Sequence, residues 1–364
     1  MNKNFWKEQI EKQGKLCFLA PMDWYWDSAY RQTMRKIAPH VCLVSEFYSS
    51  DWLVMSKFLA DSVLPHEKTE DPLVIQIFWK NPEMFAKAAE KISEKKYNIA
   101  WIDVNMWCPA KKVVRSGHWS SLMINEETSY DIVKALDEAT KLPISVKTRL
   151  SFDWGQDLIK FGKNLEKAGC SLLTVHWRTA KQAYTWTANL EPIYLLQKEL
   201  NIPVIANWDI MNFKDWMEKV KNLAWFMIWR WSFWNPWCFL SDKHNPDNIS
   251  NLEEKKLYSH LIPNNFVDWV YYPSLAEMLD TMNFHAKKLV ETKWEKKWSL
   301  EIRKHLVQYL KHFPWVKVYR KRLVTTDSYE NSKNIIQEIR EEFSDFLDRR
   351  PWLWEITKED LWLE

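Results

Sequence analysis

Eight short apolar runs recur along the first two thirds of the 364-residue chain, with amphipathic stretches of helical period between them. The runs are near-continuously apolar, as strands of a helix-covered parallel sheet are. After residue 254 only the helical period persists. These observations predict an α/β fold: a (β/α)8 TIM barrel, ordinarily ~250 residues, followed by a smaller all-helical C-terminal domain. A doubly wound sheet shares the alternation, but no G-x-G-x-x-G follows the first run.

In chain order, strands are expected over residues 16–22, 41–47, 73–78, 101–106, 144–150, 172–177, 204–208 and 225–229. β-Branched and large apolar residues cluster there, as in LVIQIF at 73–78. Helices are expected over 82–95, 129–140, 158–168 and 190–200. The polar segment 241–254, SDKHNPDNISNLEE, reads as a linker. Beyond it Ile302, Leu306, Tyr309, Leu310 and Phe313 keep helical spacing, as do Ile335, Ile336, Ile339, Phe343, Phe346 and Leu347. The expected division is a barrel over 1–245 and a helical domain with its tail over 246–364.

Composition excludes several classes. Hydrophobic residues make up 46% and charged residues 27%, which rules out a disordered chain, a collagen-like fibre and a small disulfide scaffold. Cys17, Cys42, Cys108, Cys170 and Cys238 form no C-x-x-C pair, so a reducing cytoplasm is expected, with no disulfide framework and no zinc or other metal site. Residues 1–13 lack the apolar core of a signal peptide. Residues 223–240 are apolar enough to suggest a membrane span, but Arg230, Asn235 and Pro236 interrupt them, and no span is expected. The formal net charge is +3, yet residues 287–322 carry twelve Lys/Arg against three Asp/Glu. Such a block is either a solvated helix face or the footprint of a polyanionic partner.

The active site of a barrel lies at the C-terminal ends of its strands. Polar residues end all eight expected strands: Asp23, Glu46, Gln76, Asn105 with Cys108, Lys147 with Arg149, His176 with Arg178, Asn207 with Asp209, and Arg230. Packing alone gives no reason for a full set. Taken singly, each has a plainer reading. Cys108 could be a buried small hydrophobe. Lys147, inside an apolar strand, needs an anionic partner and could belong to a structural ion pair. His176 could be a satisfied core histidine. Arg230 lies in Trp229-Arg230-Trp231, after the eighth strand, where barrels often hold a phosphate.

At these residues the sequence resembles the tRNA-dihydrouridine synthase family. The matching stretches are Leu19-Ala20-Pro21-Met22-Asp23 with Asp27-Ser28-Ala29-Tyr30-Arg31-Gln32, then Ile75-Gln76, then Ile102-Asp103-Val104-Asn105-Met106 and Cys108-Pro109-Ala110-Lys111-Lys112. Val146-Lys147-Thr148-Arg149, Val175-His176, Arg178-Thr179, Asn207, Asp209-Ile210 and Asn235-Pro236-Trp237 follow. Arg303-Lys304-His305-Leu306, Tyr309-Leu310-Lys311 and Phe313-Pro314 extend the match into the helical part. The order is colinear.

The resemblance implies reduction of specific tRNA uridines to 5,6-dihydrouridine, in a cytoplasmic monomer. It implies FMN, reduced by NADPH, delivering a hydride to C6 while Cys108 gives a proton to C5. An ordinary thiol, with pKa about 8.5, stays protonated for that task. Pro21, Met22, Asp23, Gln76, Lys147, His176, Asn207, Trp208, Asp209, Trp229 and Arg230 are the implied cofactor-binding residues. Asn105 and Arg178 would face the uridine, which must leave its stack to reach a barrel pocket. Arg303, Lys304, Lys311, Lys317, Arg320, Lys321 and Arg322 would contact tRNA phosphates. Two alternatives stand beside this: a barrel flavoprotein acting on a free pyrimidine, of the dihydroorotate dehydrogenase kind, and a non-catalytic RNA-binding relative. The basic block speaks against the first, and Cys108 with Lys147 against the second.

The departures from the family follow a rule. There are 25 tryptophans and 5 glycines, where an ordinary composition would give about 25 glycines. Trp107, Trp119, Trp177, Trp208, Trp229, Trp231 and Trp234 stand on family glycine positions, and Trp79, Trp101, Trp225 and Trp315 are read the same way; Trp237 is tryptophan in the family too. Ten such replacements at about 2 kcal/mol each would exceed the ~5–15 kcal/mol that holds a domain folded. The expected account is a UGA codon read as glycine in the organism and written as tryptophan. A tryptophan-rich pseudoenzyme is the alternative.

Overall fold

The computed structural model describes residues 17–106, 125–151, 157–177, 190–207, 210–223, 225–228, 230–233, 235–293, 295–311, 313 and 316–353. Eight parallel strands form one sheet: β1 (Cys17–Leu19), β2 (Leu43–Ser49), β3 (Leu73–Phe78), β4 (Trp101–Asn105), β5 (Ile144–Arg149), β6 (Leu172–His176), β7 (Val204–Asn207) and β8 (Trp225–Ile228). From β2 to β8 each pairs with the next, and β8 pairs with β1. A bridge from Phe18 to Cys42, with the Leu19 N–H donating to the Cys42 carbonyl at 3.0 Å, brings β1 against the chain entering β2 and closes the barrel. All eight expected strands are present, most ending a residue or two earlier than the apolar pattern.

The helices in chain order are α1 (Ser28–Ile37), α2 (Ser50–Met55), α3 (Lys57–Val63), α4 (Pro82–Ile92), α5 (Glu126–Ala139), α6 (Leu158–Ala168), α7 (Glu191–Glu199), α8 (Phe213–Lys219), α9 (Leu252–Leu257), α10 (Leu275–Thr292), α11 (Glu295–Tyr309), α12 (Lys317–Leu323) and α13 (Tyr329–Glu342). Local chemistry sets several of their ends. Asn81 accepts from the Glu83 N–H and Pro82 takes the first helical position of α4. Asp157 caps α6, and Gly169, at φ 113°, ends it. A Cβ on Gly169 would collide with the Asp137 side chain.

The chain packs as two compact units. One comprises Met1–Trp26, His40–Ile210 and Trp216–Trp229; the other comprises Asp27–Pro39, Met211–Asp215 and Arg230–Glu364. In the first, Phe18, Ala20, Cys42, Val44, Val74, Trp101, Leu172, Ile205 and Met227 form a buried cluster filling the barrel lumen. Strand side chains alternate between faces, so Gln76, Asp103, Asn105, Thr174, His176 and Asn207 share the lumen face of their strands. The lumen thus turns from apolar to polar toward the strands' C-terminal ends.

In the second unit α10 packs against α1, α11 and α13. Asp27 caps α1 by accepting from the Tyr30 N–H at 3.0 Å, and its other oxygen accepts from Lys293 Nζ at 2.8 Å. Lys293 also donates to Glu301. Beside this pair the buried rings of Tyr30, His285, His305 and Tyr309 pack together, and His285 Nδ1 meets the Tyr309 hydroxyl at 3.3 Å. Burial alone would raise the Asp27 pKa, but the Lys293 ammonium, helped by the fields of His285 and His305, holds it well below the usual carboxylate range. Burial pushes His285 down to about 4, and His305 well below its ordinary value.

Two expectations are corrected. Residues 241–254 are no free linker: Ser241, His244 and Pro246 are buried, and the polar residues serve as caps of two short 3-10 helices and of α9. The C-terminal part is also not wholly helical, because β9 (Phe266–Val267) and β10 (Val270–Tyr271) form an antiparallel hairpin. Its turn residues, Asp268 and Trp269, lie at φ 49° and 70°. Two central residues at positive φ are the signature of a turn that favours Asp-Gly. Of the six non-glycine residues at positive φ among the described residues, three are tryptophans: Trp24 at 69°, Trp79 at 151° and Trp269. Bulky side chains rarely adopt that region.

Candidate active site at the barrel mouth

The site is built where β3, β4 and β5 end. Register places Gln76 beside Asp103, Asp103 beside Ser145, and Asn105 beside Lys147. Gln76 Nε2 donates to Asp103 Oδ2 at 2.6 Å, and Asn105 Nδ2 donates to Gln76 Oε1 at 3.1 Å. The Gln76 backbone N–H donates to Ser45 Oγ at 3.1 Å. Ser145 Oγ donates to Asp103 Oδ1. Gln76, Asp103, Asn105 and Ser145 are all buried. Burial raises the Asp103 pKa, while the hydrogen bonds from Ser145 and Gln76 and the positive charge of Lys147 partly oppose it. Lys147 is half-buried on β5. Its positive charge reaches the Asp103 carboxylate on the same lumen face.

On the other side of the mouth Arg149 is level with His176, and His176 with Asn207. All three are buried, and Asn207 Nδ2 donates to the Met227 carbonyl at 3.1 Å. Pro21, Met22 and Asp23 are half-buried in the turn after β1, where the Trp24 N–H donates to Glu46 Oε1 at 2.6 Å. Arg230 opens a 3-10 helix, Arg230–Ser232, just after β8. Cys108, Arg178, Trp208, Asp209, Trp229 and the Arg230 side chain lie outside the described residues.

The basic residues divide. Arg303 donates to the Thr326 carbonyl at 2.7 Å, and Arg322 forms a two-pronged pair with Glu338 at 2.5 and 2.7 Å. Arg320 is half-buried, and Lys304 is half-buried on α11. Lys311, Lys317 and Lys321 are exposed; the last two stand four residues apart on α12, on one helix face. No helix among the described residues is long and apolar enough to cross a membrane. No three His, Cys, Asp or Glu residues among them converge as a metal site.

Sequence reasoning singled out neither Asp103 nor Ser145. A signal existed: a carboxylate inside the apolar run WIDVN has to be satisfied by neighbouring strands.

A closed parallel barrel whose lumen turns polar at the C-terminal strand ends is the architecture of a barrel enzyme. This chain belongs to the dihydrouridine synthase family, whose description matches residues 18–346, and it is an oxidoreductase. It is 29% identical over 322 residues to a probable tRNA-dihydrouridine synthase 1 of Synechocystis, covering 88% of this chain and 84% of that one. It is 32% identical over 233 residues to tRNA-dihydrouridine synthase B of Pseudomonas aeruginosa, covering 62% and 68%. A probable tRNA-dihydrouridine synthase of Aquifex aeolicus is 28% identical over 335 residues, covering 91% and 96%.

Proposed function

We propose that this chain reduces specific uridines of tRNA to 5,6-dihydrouridine in the cytoplasm, as a monomer, with FMN as resident cofactor and NADPH as reductant. The observation that carries the reading is the donor set at the lumen mouth. Gln76 and Asn105 offer amide edges, Lys147 a positive charge, and His176 with Asn207 further polar contacts, all on strand ends of one barrel. Such a set suits a flat heteroaromatic ring with hydrogen-bonding edges and a tendency to carry negative charge. FMN, when bound there, would supply the hydride for C6 of the uracil.

The chain's own residues do the rest. Cys108 holds the proton that passes to C5. Lys147 favours negative charge at the ring, and Gln76 pairs with its amide edge. Backbone at Pro21, Met22 and Asp23 lines the mouth, His176 and the segment from Asn207 through Trp208 to Asp209 complete the cofactor site, and Arg230 with the backbone at Trp229 would hold the cofactor's phosphate. Asn105 and Arg178 orient the uridine. Residues 1–245 form the catalytic domain and residues 246–364 the tRNA-binding domain, whose phosphate contacts fall to Lys304, Lys311, Lys317, Arg320 and Lys321, joined by Arg303 and Arg322 at their remaining N–H groups. Phosphate contacts of this kind fix orientation and carry no base identity.

The chemistry is tested in a chain carrying glycine at Trp107, Trp119, Trp177, Trp208, Trp229, Trp231 and Trp234. Cys108→Ala should retain FMN and lose about 10²–10⁴-fold in uridine reduction, the usual worth of a general acid. Full activity in that variant overturns the assignment. For the partner, Lys317→Ala with Lys321→Ala should flatten the salt dependence of tRNA binding by roughly 0.9 for each phosphate no longer neutralised, at unchanged FMN content.

A further inference from the structure

The most buried carboxylate of the lumen network has no role in the chemistry above. Asp103 accepts from Gln76 Nε2 through one oxygen and from Ser145 Oγ through the other, and the Lys147 charge acts on it. An amide side chain has nearly the same shape either way round, so its partners alone decide which end points where. Here the carboxylate decides. Asp103 offers Gln76 only acceptors, so the amide N–H faces it and the amide oxygen is left to accept from Asn105, whose own amide turns to suit. Turning the Gln76 amide over would set oxygen against oxygen at Asp103 in a buried site, where unmade hydrogen bonds are expensive.

The consequence reaches the mouth of the barrel. With Gln76 locked, its second N–H and second lone pair keep fixed positions relative to Lys147, which stands two strands over on β5, level with Asn105. A ring bound there meets a donor–acceptor edge of one polarity beside a positive charge that a nearby carboxylate tempers. We propose that Asp103 is a positioning residue, fixing the polarity of the Gln76 amide and balancing the Lys147 charge, and that it thereby sets the affinity and reduction potential of the bound flavin. This rests on the flavin reading above. Ser145 acts one step further out, holding the carboxylate in place, in the way outer partners orient the ligands of metal sites.

The test is Asp103→Asn in the glycine-carrying chain, measured against its parent for FMN affinity and for the midpoint potential of bound FMN. Asparagine keeps the shape, removes the charge, and leaves a single acceptor for two donors. FMN affinity should fall on the order of tenfold. The potential should move upward, because Lys147 is no longer balanced and charge added on reduction is better accommodated. Asp103→Glu, which restores the charge, should recover part of the potential shift. A tie that merely braces β3, β4 and β5 would lower the melting temperature of the FMN-free protein and leave affinity and potential where they were; that result overturns the assignment. Should Asp103→Asn fail to fold, Ser145→Ala decides: a smaller loss of FMN affinity supports the role, and an unchanged affinity removes it. A parent that binds no FMN overturns the flavin reading and this assignment together, whereas a parent that binds FMN with an indifferent Asp103→Asn overturns this assignment alone.

Discussion

Asp103 in the barrel and Asp27 in the second unit are both buried carboxylates, and their surroundings move their proton affinities in opposite directions. Asp103 is held chiefly by neutral donors, the Gln76 amide and the Ser145 hydroxyl, with a lysine acting at a distance. Asp27 has an ammonium at 2.8 Å and a helix N-terminal N–H at 3.0 Å. Neutral donors satisfy lone pairs without cancelling charge, so the lumen cluster keeps a field to which a bound molecule can respond. A direct ammonium cancels the charge and closes the cluster. The same side chain serves binding in one unit and cohesion in the other, according to what donates to it.

The largest expected effect breaks the closed cluster. Lys293→Met should cost about 3–5 kcal/mol in urea unfolding, because Asp27 is left buried without its counter-charge. Ser145→Ala should cost only about 1 kcal/mol, one ordinary hydrogen bond. Equal losses would mean that the two clusters do not differ as argued.

Acid should separate them next. Folding holds His285 neutral, with its pKa at about 4 against an ordinary 6.5, so the unfolded chain binds protons that the folded chain refuses. Stability is then level above pH 6.5 and falls as pH drops from 6.5 toward 4, by about 3 kcal/mol for this one group. His305 adds to the loss in the same direction. Asp27, with its lowered pKa, stabilises the fold fully above its unfolded value of 3.8 and begins to lose that contribution only below it, outside this window. Denaturation midpoints followed from pH 8 to 4 measure this, and a flat profile would refute the burial of the imidazoles. A third effect touches neither cluster. Trp269→Gly should stabilise the chain by about 1–3 kcal/mol, relieving an aromatic residue at φ 70°.

The barrel was legible because its signal is local. An apolar run such as LVIQIF has one favourable fate in a helix-covered sheet, and β3 falls where the pattern ends. Helix α6 was readable residue for residue for the same reason. The strand-end residues followed from topology, since parallel strands bring all their C-termini to one mouth. What escaped depends on partners distant in sequence. Nothing near residue 27 announces that α1 packs on α10, or that Lys293 lies against Asp27. The hairpin at 266–271 escaped for another reason: Asp-Trp does not read as a turn, although its backbone adopts the one that Asp-Gly prefers. Cys108, legible as chemistry, lies outside the described residues.

That turn carries a meaning outside folding. Main-chain dihedrals are set by the whole chain and its neighbours, so they testify about a residue's identity without consulting its letter. Gly169 and Trp269 share a left-handed backbone under different letters. Trp237, buried and packed edge-on against Trp352 at 5.7 Å, shares a letter with Trp269 and nothing of its geometry. If geometry is the better witness, the gene should spell Trp237 as UGG and spell Trp24, Trp79 and Trp269 as UGA. A protein's shape would then have reported how its organism reads a codon.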